Sequence, residues 1–81
     1  MDIQLIKGEF IATDALDLIT KMIHIKIKYH EDKIQNENNE EDIKMREKII
    51  KQLQKDLYEA RNKIEKNKNK INITGQISFN N

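Results

Sequence analysis

Between Gly8 and Gly75 the chain contains no glycine, and it contains no proline at any position. Those two residues are the strongest local punctuators of backbone structure, so what lies between must run in long, uninterrupted elements. A loop-rich fold is thereby excluded, and the remaining question is the period of the apolar residues.

The stretch IHIKIKYHED, Ile23 to Asp32, alternates apolar and polar residues as a strand would. Its wider context reads otherwise. Leu16, Ile19, Ile23, Ile27, His30 and Ile34 recur at spacings of three and four, one face of a helix. Ala15, Leu18, Met22, Ile25 and Tyr29 form a second stripe beside it. Two adjacent isoleucine-rich stripes imitate alternation over a short window. A strand of such length would far exceed the usual ~5–6 residues, so a helix is predicted over residues 14–35. Thr13 is its expected N-cap, with Asp14 and Asp17 near the positive pole of the helix dipole.

NENNEED then reads as a turn over residues 36–39, with Asn39 and Asp42 spaced as a capping pair. A second helix is predicted over residues 40–69. Ile43, Ile50, Leu57, Ile64 and Ile71 repeat every seventh residue, with Leu53 and Ala60 at the alternate seam positions and Arg46 and Asn67 as polar occupants of the same positions. This is a helix–helix packing seam. Glu40–Lys44, Glu47–Lys51 and Glu59–Lys63 place acid one turn before base.

The ends differ in kind. Ile71, Ile73, Ile77 and Phe79 alternate with polar residues, predicting a strand over residues 71–79 with Gly75 as a bulge. Ile3 and Leu5 predict a first strand over residues 2–7, ending near Gly8. The expected architecture is a single mainly α domain of order β-α-α-β. It comprises an antiparallel helical hairpin closed by a two-stranded antiparallel sheet. Across the turn, Ile34 is placed near Ile43, Ile27 near Ile50, Ile23 near Leu53 and Ile19 near Leu57.

Eighty-one residues without cysteine can neither bury a large core nor be stapled by disulfides. Assembly is the remaining source of burial. The second helix can cover only one stripe of the first, and two short strands reach only part of the other. Leu18, Met22, Ile25 and Tyr29 are therefore the expected self-association residues, in a homodimer of four helices.

The composition argues against other classes. Fifteen basic and fourteen acidic side chains nearly cancel, without the basic excess of a strong polyanion binder. Much of the lysine content accompanies an Ile, Lys and Asn usage typical of AT-rich codons. The start MDIQLIKGEF lacks a basic, apolar secretory leader, and no segment approaches the ~20 apolar residues of a membrane span. A cytoplasmic protein without membrane attachment is expected.

No glycine-rich phosphate loop or Cys/His pair is present, so no enzyme, cofactor or metal site is predicted. His24 falls on the polar face. It stands six residues from His30, on a different face, so the two cannot share an ion within one helix. His30 falls on the apolar stripe opposite Arg46 or Glu47, where it forms a polar layer fixing helix register, or a pH-sensitive one. Lys26 and Lys33 lie between the two stripes on long apolar stems.

The leading functional expectation is a non-enzymatic module that pairs with itself and binds another protein. The alternative is a small nucleic-acid-associated regulator, antitoxin-like or a phage-type accessory protein. It would use Lys63, Lys66, Lys68 and Lys70 as phosphate contacts.

Overall fold

The computed structural model describes residues 1–67 and 69–80. It has the β-α-α-β order: β1 Asp2–Phe10, α1 Ala12–Gln35, α2 Glu40–Lys66 and β2 Ile71–Ser78. The two helices pack against each other as a hairpin, and β1 pairs antiparallel with β2. His30 of α1 meets Arg46 of α2 near the turn, on the diagonal that the hydrophobic pattern requires of the hairpin.

The helix boundaries carry two corrections. α1 begins at Ala12, and its N-cap is Ile11, which has no side-chain capping bond, rather than Thr13. β1 stays paired as far as Phe10, so a single residue must turn the chain. The Ile11 carbonyl accepts the first helical bond from Ala15 N–H at 2.9 Å, and Thr13 is left exposed inside the first turn.

α2 ends at Lys66 rather than residue 69. Asn67 N–H donates to the Ile64 carbonyl at 3.1 Å, and the Asn67 side-chain oxygen accepts Asn69 N–H at 3.0 Å, which draws the backbone out of the helix. Ile71, although in heptad phase, therefore belongs to β2.

At the other end of α2, Asn39 is the N-cap, its Oδ1 accepting from Glu41 N–H at 2.9 Å and Asp42 N–H at 3.3 Å. The reciprocal bond of the capping pair comes from a different residue than expected. Asn39 N–H donates to Glu37 Oε1 at 3.0 Å, because the Asp42 side chain is one carbon too short to reach back. Among the described residues the ion pairs are Asp17–Lys21 at 2.9 Å and Lys28–Asp32 at 3.5 Å. The three expected pairs on α2 are not formed. Exposed pairs of this kind gain only a few tenths of a kcal/mol against the entropy of two long side chains.

β1 runs beyond Gly8, which adopts φ +145° and pairs with Ile73. Glycine alone takes that conformation without strain, so the strand passes through it instead of stopping. The bulge lies in β1 rather than at Gly75. Gln4 pairs with Gln76 and Ile6 with Gly75, leaving Leu5 as the extra residue. Its effect is a change of phase. Ile3 pairs with Ile77 before it, while Gly8 and Phe10 pair with Ile73 and Ile71 after it. Odd-numbered and even-numbered residues of β1 thereby share one apolar face with β2.

The sheet turns off the helix direction. A 24-residue helix of about 36 Å and a 9-residue strand of about 30 Å laid end to end would far exceed the observed 46 × 32 × 14 Å. The result is a thin molecule with little interior. Ala15, Ile27 and Ile64 are its buried apolar residues, and His30 is buried with them.

Candidate self-association surface

On the α1 helix, Leu18, Met22, Ile25 and Tyr29 lie on the side turned away from buried Ile27, each more than a quarter-turn from it at 100° per residue. The four are treated unequally. Leu18 and Met22 are half-buried, because the sheet crosses near the start of α1. Ile25 is 71% exposed and Tyr29 53% exposed. The strands thus shield one end of the stripe and leave the other bare.

Where β1 passes α1, a groove is lined by Leu5, Ile6, Phe10, Leu18 and Met22, with Lys7 at its margin. That the strands cover the start of the stripe near Leu18 was expected from the element order, but Met22, expected to be bare, also falls under β1. The one legible trace of this β1 wall is the adjacent apolar pair Leu5–Ile6, which breaks the alternation begun by Ile3 and marks the change of phase. The groove is continuous along α1 with Ile25 and Tyr29, one turn and two turns beyond Met22 and in the same stripe.

The Tyr29 ring is held from its own chain. Lys33 Nζ and the Arg46 guanidinium carbon each lie 5.8 Å from its centroid, within cation–π range. The His30 ring meets it edge-on, with centroids 5.2 Å apart and planes at 75°. Beneath this exposed ring lies the polar layer. Arg46 Nη1 stands 3.0 Å from His30 Nδ1. Since a guanidinium can only donate, Nδ1 accepts and the ring proton resides on Nε2. Burial first, and the charges of Arg46 and Lys26 second, hold the His30 pKa below its ordinary value. The neutral imidazole is the form this contact requires. Arg46 Nε is buried and has no partner among the described residues.

The remaining predicted sites are dispersed. His24 is exposed on the polar face. Lys63, Lys66 and Lys70 are exposed around the end of α2, and Lys68 lies outside the described residues. Lys63 and Lys66 lie in the last turn of α2, at the negative pole of its dipole, which lysine satisfies without any ligand. Among the described residues, no group of three or more His, Cys, Asp or Glu side chains is placed to hold a metal ion. No described helix is long and apolar enough to cross a membrane.

No protein-family model, curated protein or solved structure matches the chain.

Proposed function

We propose that this chain is a non-enzymatic, cytoplasmic interaction module that acts as a homodimer and, once paired, binds another protein through its remaining exposed faces. One observation carries the reading. The single chain exposes 6777 Å², whereas a compact monomer of 9.7 kDa exposes about 5,100 Å². The excess is about 1,700 Å² per chain, and an interface that took it from both chains would bury about 3,400 Å², within the range of obligate dimers. Its radius of gyration, 15.2 Å, likewise exceeds the about 12 Å of a compact chain this long.

Exposed large apolar side chains occur on every element, among them Ile3 and Leu5 on β1, Met45 and Tyr58 on α2 and Ile77 on β2. Part of the excess lies in the Ile25 and Tyr29 side chains, which are too apolar to be indifferent to water and too far from the strands to be covered by them. A free-edged two-stranded sheet is itself marginal in isolation, which gives the same chain a second reason to pair.

Sedimentation equilibrium of the wild type over a wide concentration range tests this reading. A two-chain species that dissociates only on strong dilution is expected. A chain that remains monomeric at about 100 μM, where even weak dimers associate, refutes it.

A further inference from the structure

The geometry points to one arrangement of the second copy: α1 crosses α1 of the other chain antiparallel, and Tyr29 of each copy seats in the groove between β1 and α1 of the other. This rests on the homodimer reading and specifies its interface.

The spacing along the stripe is four, three, four, from Leu18 through Met22 and Ile25 to Tyr29. Read in reverse it is unchanged. An antiparallel copy therefore brings Tyr29 level with Leu18 and Ile25 level with Met22 in both directions at once, the two-fold relation that an isologous interface requires.

Shape then selects this arrangement over the parallel one. The first half of the stripe is recessed beneath Leu5, Ile6 and Phe10, while the second half is bare. Antiparallel pairing sets the bare half of one chain into the recess of the other, twice. Parallel pairing would set recess against recess and leave Ile25 and Tyr29 meeting only their own counterparts. The Tyr29 ring is already held between Lys33, Arg46 and His30, so little side-chain freedom remains to be lost when it docks.

Charge favours the antiparallel pair only by count, with two lysine–lysine contacts across the seam against four in the parallel one. In a parallel pair the flanks of facing helices would set Lys21 beside Lys26 and Lys28 beside Lys33, like charges along both sides of the seam. In the antiparallel pair each flank meets its own kind. Lys28 then meets Lys21 of the other chain, a like-charge contact eased by the Asp17 that pairs with Lys21 at 2.9 Å and the Asp32 that pairs with Lys28 at 3.5 Å, and Lys26 lays its stem over Ile19. The groove is thus an incomplete site in one chain, and the second copy supplies its occupant.

Because the chain has no native cysteine, disulfide trapping reads the arrangement directly. Leu18→Cys and Tyr29→Cys proteins are mixed and oxidised, and the mixed 18–29 disulfide is expected to dominate over the 18–18 and 29–29 species. Those variants remove apolar anchors, so a second pair leaves the stripe intact. Lys21→Cys mixed with Lys28→Cys, treated with a short bis-maleimide, should join 21 to 28, whereas parallel helices would join 21 to 26. Predominant 18–18 and 29–29 disulfides, a 21–26 link from Lys21→Cys mixed with Lys26→Cys, or a dimer that traps in none of the antiparallel pairings overturns the arrangement while leaving the homodimer standing. A monomer in sedimentation overturns the homodimer itself.

Discussion

Truncating Ile25 separates the dimer from every reading of the chain as a monomer. In the isolated chain Ile25 is 71% exposed, so Ile25→Ala should change monomer stability by no more than about 0.5 kcal/mol. In the dimer the same side chain is removed from water. Complete burial of an isoleucine is worth about 2 kcal/mol, and 71% of that is about 1.4 kcal/mol per copy. Each dimer contains two copies, giving about 2.8 kcal/mol, or an about 100-fold weaker Kd. Alanine keeps the β-carbon, but the cavity it leaves offsets that saving. The assay is sedimentation of wild type and variant over matched dilution series, with circular dichroism to confirm unchanged helix content. Tyr58→Ala supplies the control. Tyr58 is similarly exposed, at 68%, but lies on α2 away from the stripe, so its loss should leave the Kd within about two-fold. An Ile25→Ala dimer as tight as wild type, or one weakened no more than Tyr58→Ala, refutes the placement of the interface on α1.

Three further outcomes follow from the same geometry. Asn39→Ala removes the oxygen that accepts Glu41 and Asp42 N–H and should cost about 1 kcal/mol in denaturant unfolding, with an unchanged midpoint counting against the cap. Gly75→Ala places a β-carbon 3.0 Å from Ile6 Cγ2 and should destabilise by about 1 kcal/mol. A stabilised variant would show that the bulge opposite Gly75 has room to spare. The His30 pKa is lowered in the folded chain by burial and by Arg46 and Lys26, so the unfolded chain binds the proton more readily. Its contribution to stability is intact above the ordinary value of about 6.5 and is lost as pH falls through the lower folded value. Denaturation midpoints should therefore drop as pH falls below about 6.5, and His30→Gln should flatten that drop, since glutamine still accepts from Arg46 without titrating. An equal drop in the variant would assign the effect to other groups.

The extent to which the structure was legible in the sequence varies from element to element. The helical reading of α1 could be made because the alternation in IHIKIKYHED extends into two stripes at spacings of three and four, and a period is a local property of the chain. The meeting of His30 with Arg46 was equally legible, since a short turn and two apolar seams leave the hairpin one register. The starts and ends of elements were less so. Thr13 has the chemistry of an N-cap, but strand pairing through Phe10 moves the turn to Ile11. Such a boundary is decided by a partner about sixty residues away in sequence, which no local window contains.

That Ile25 and Tyr29 stay uncovered could be read from composition and order alone, because counting the elements available to cover them needs no coordinates; Met22, counted with them, is half-buried against β1. The groove could not be read that way. Its β1 wall depends on Leu5 being the residue left out of the ladder, and that depends on how β1 meets β2. Period, charge and chain length are summed along the sequence, so the sequence by itself determined the element order, the hairpin seam and the surplus of apolar surface. Pairing between the two ends of the chain is non-local, so only the tertiary structure decided the bulge, the shared face of the sheet and how far along the stripe the strands reach.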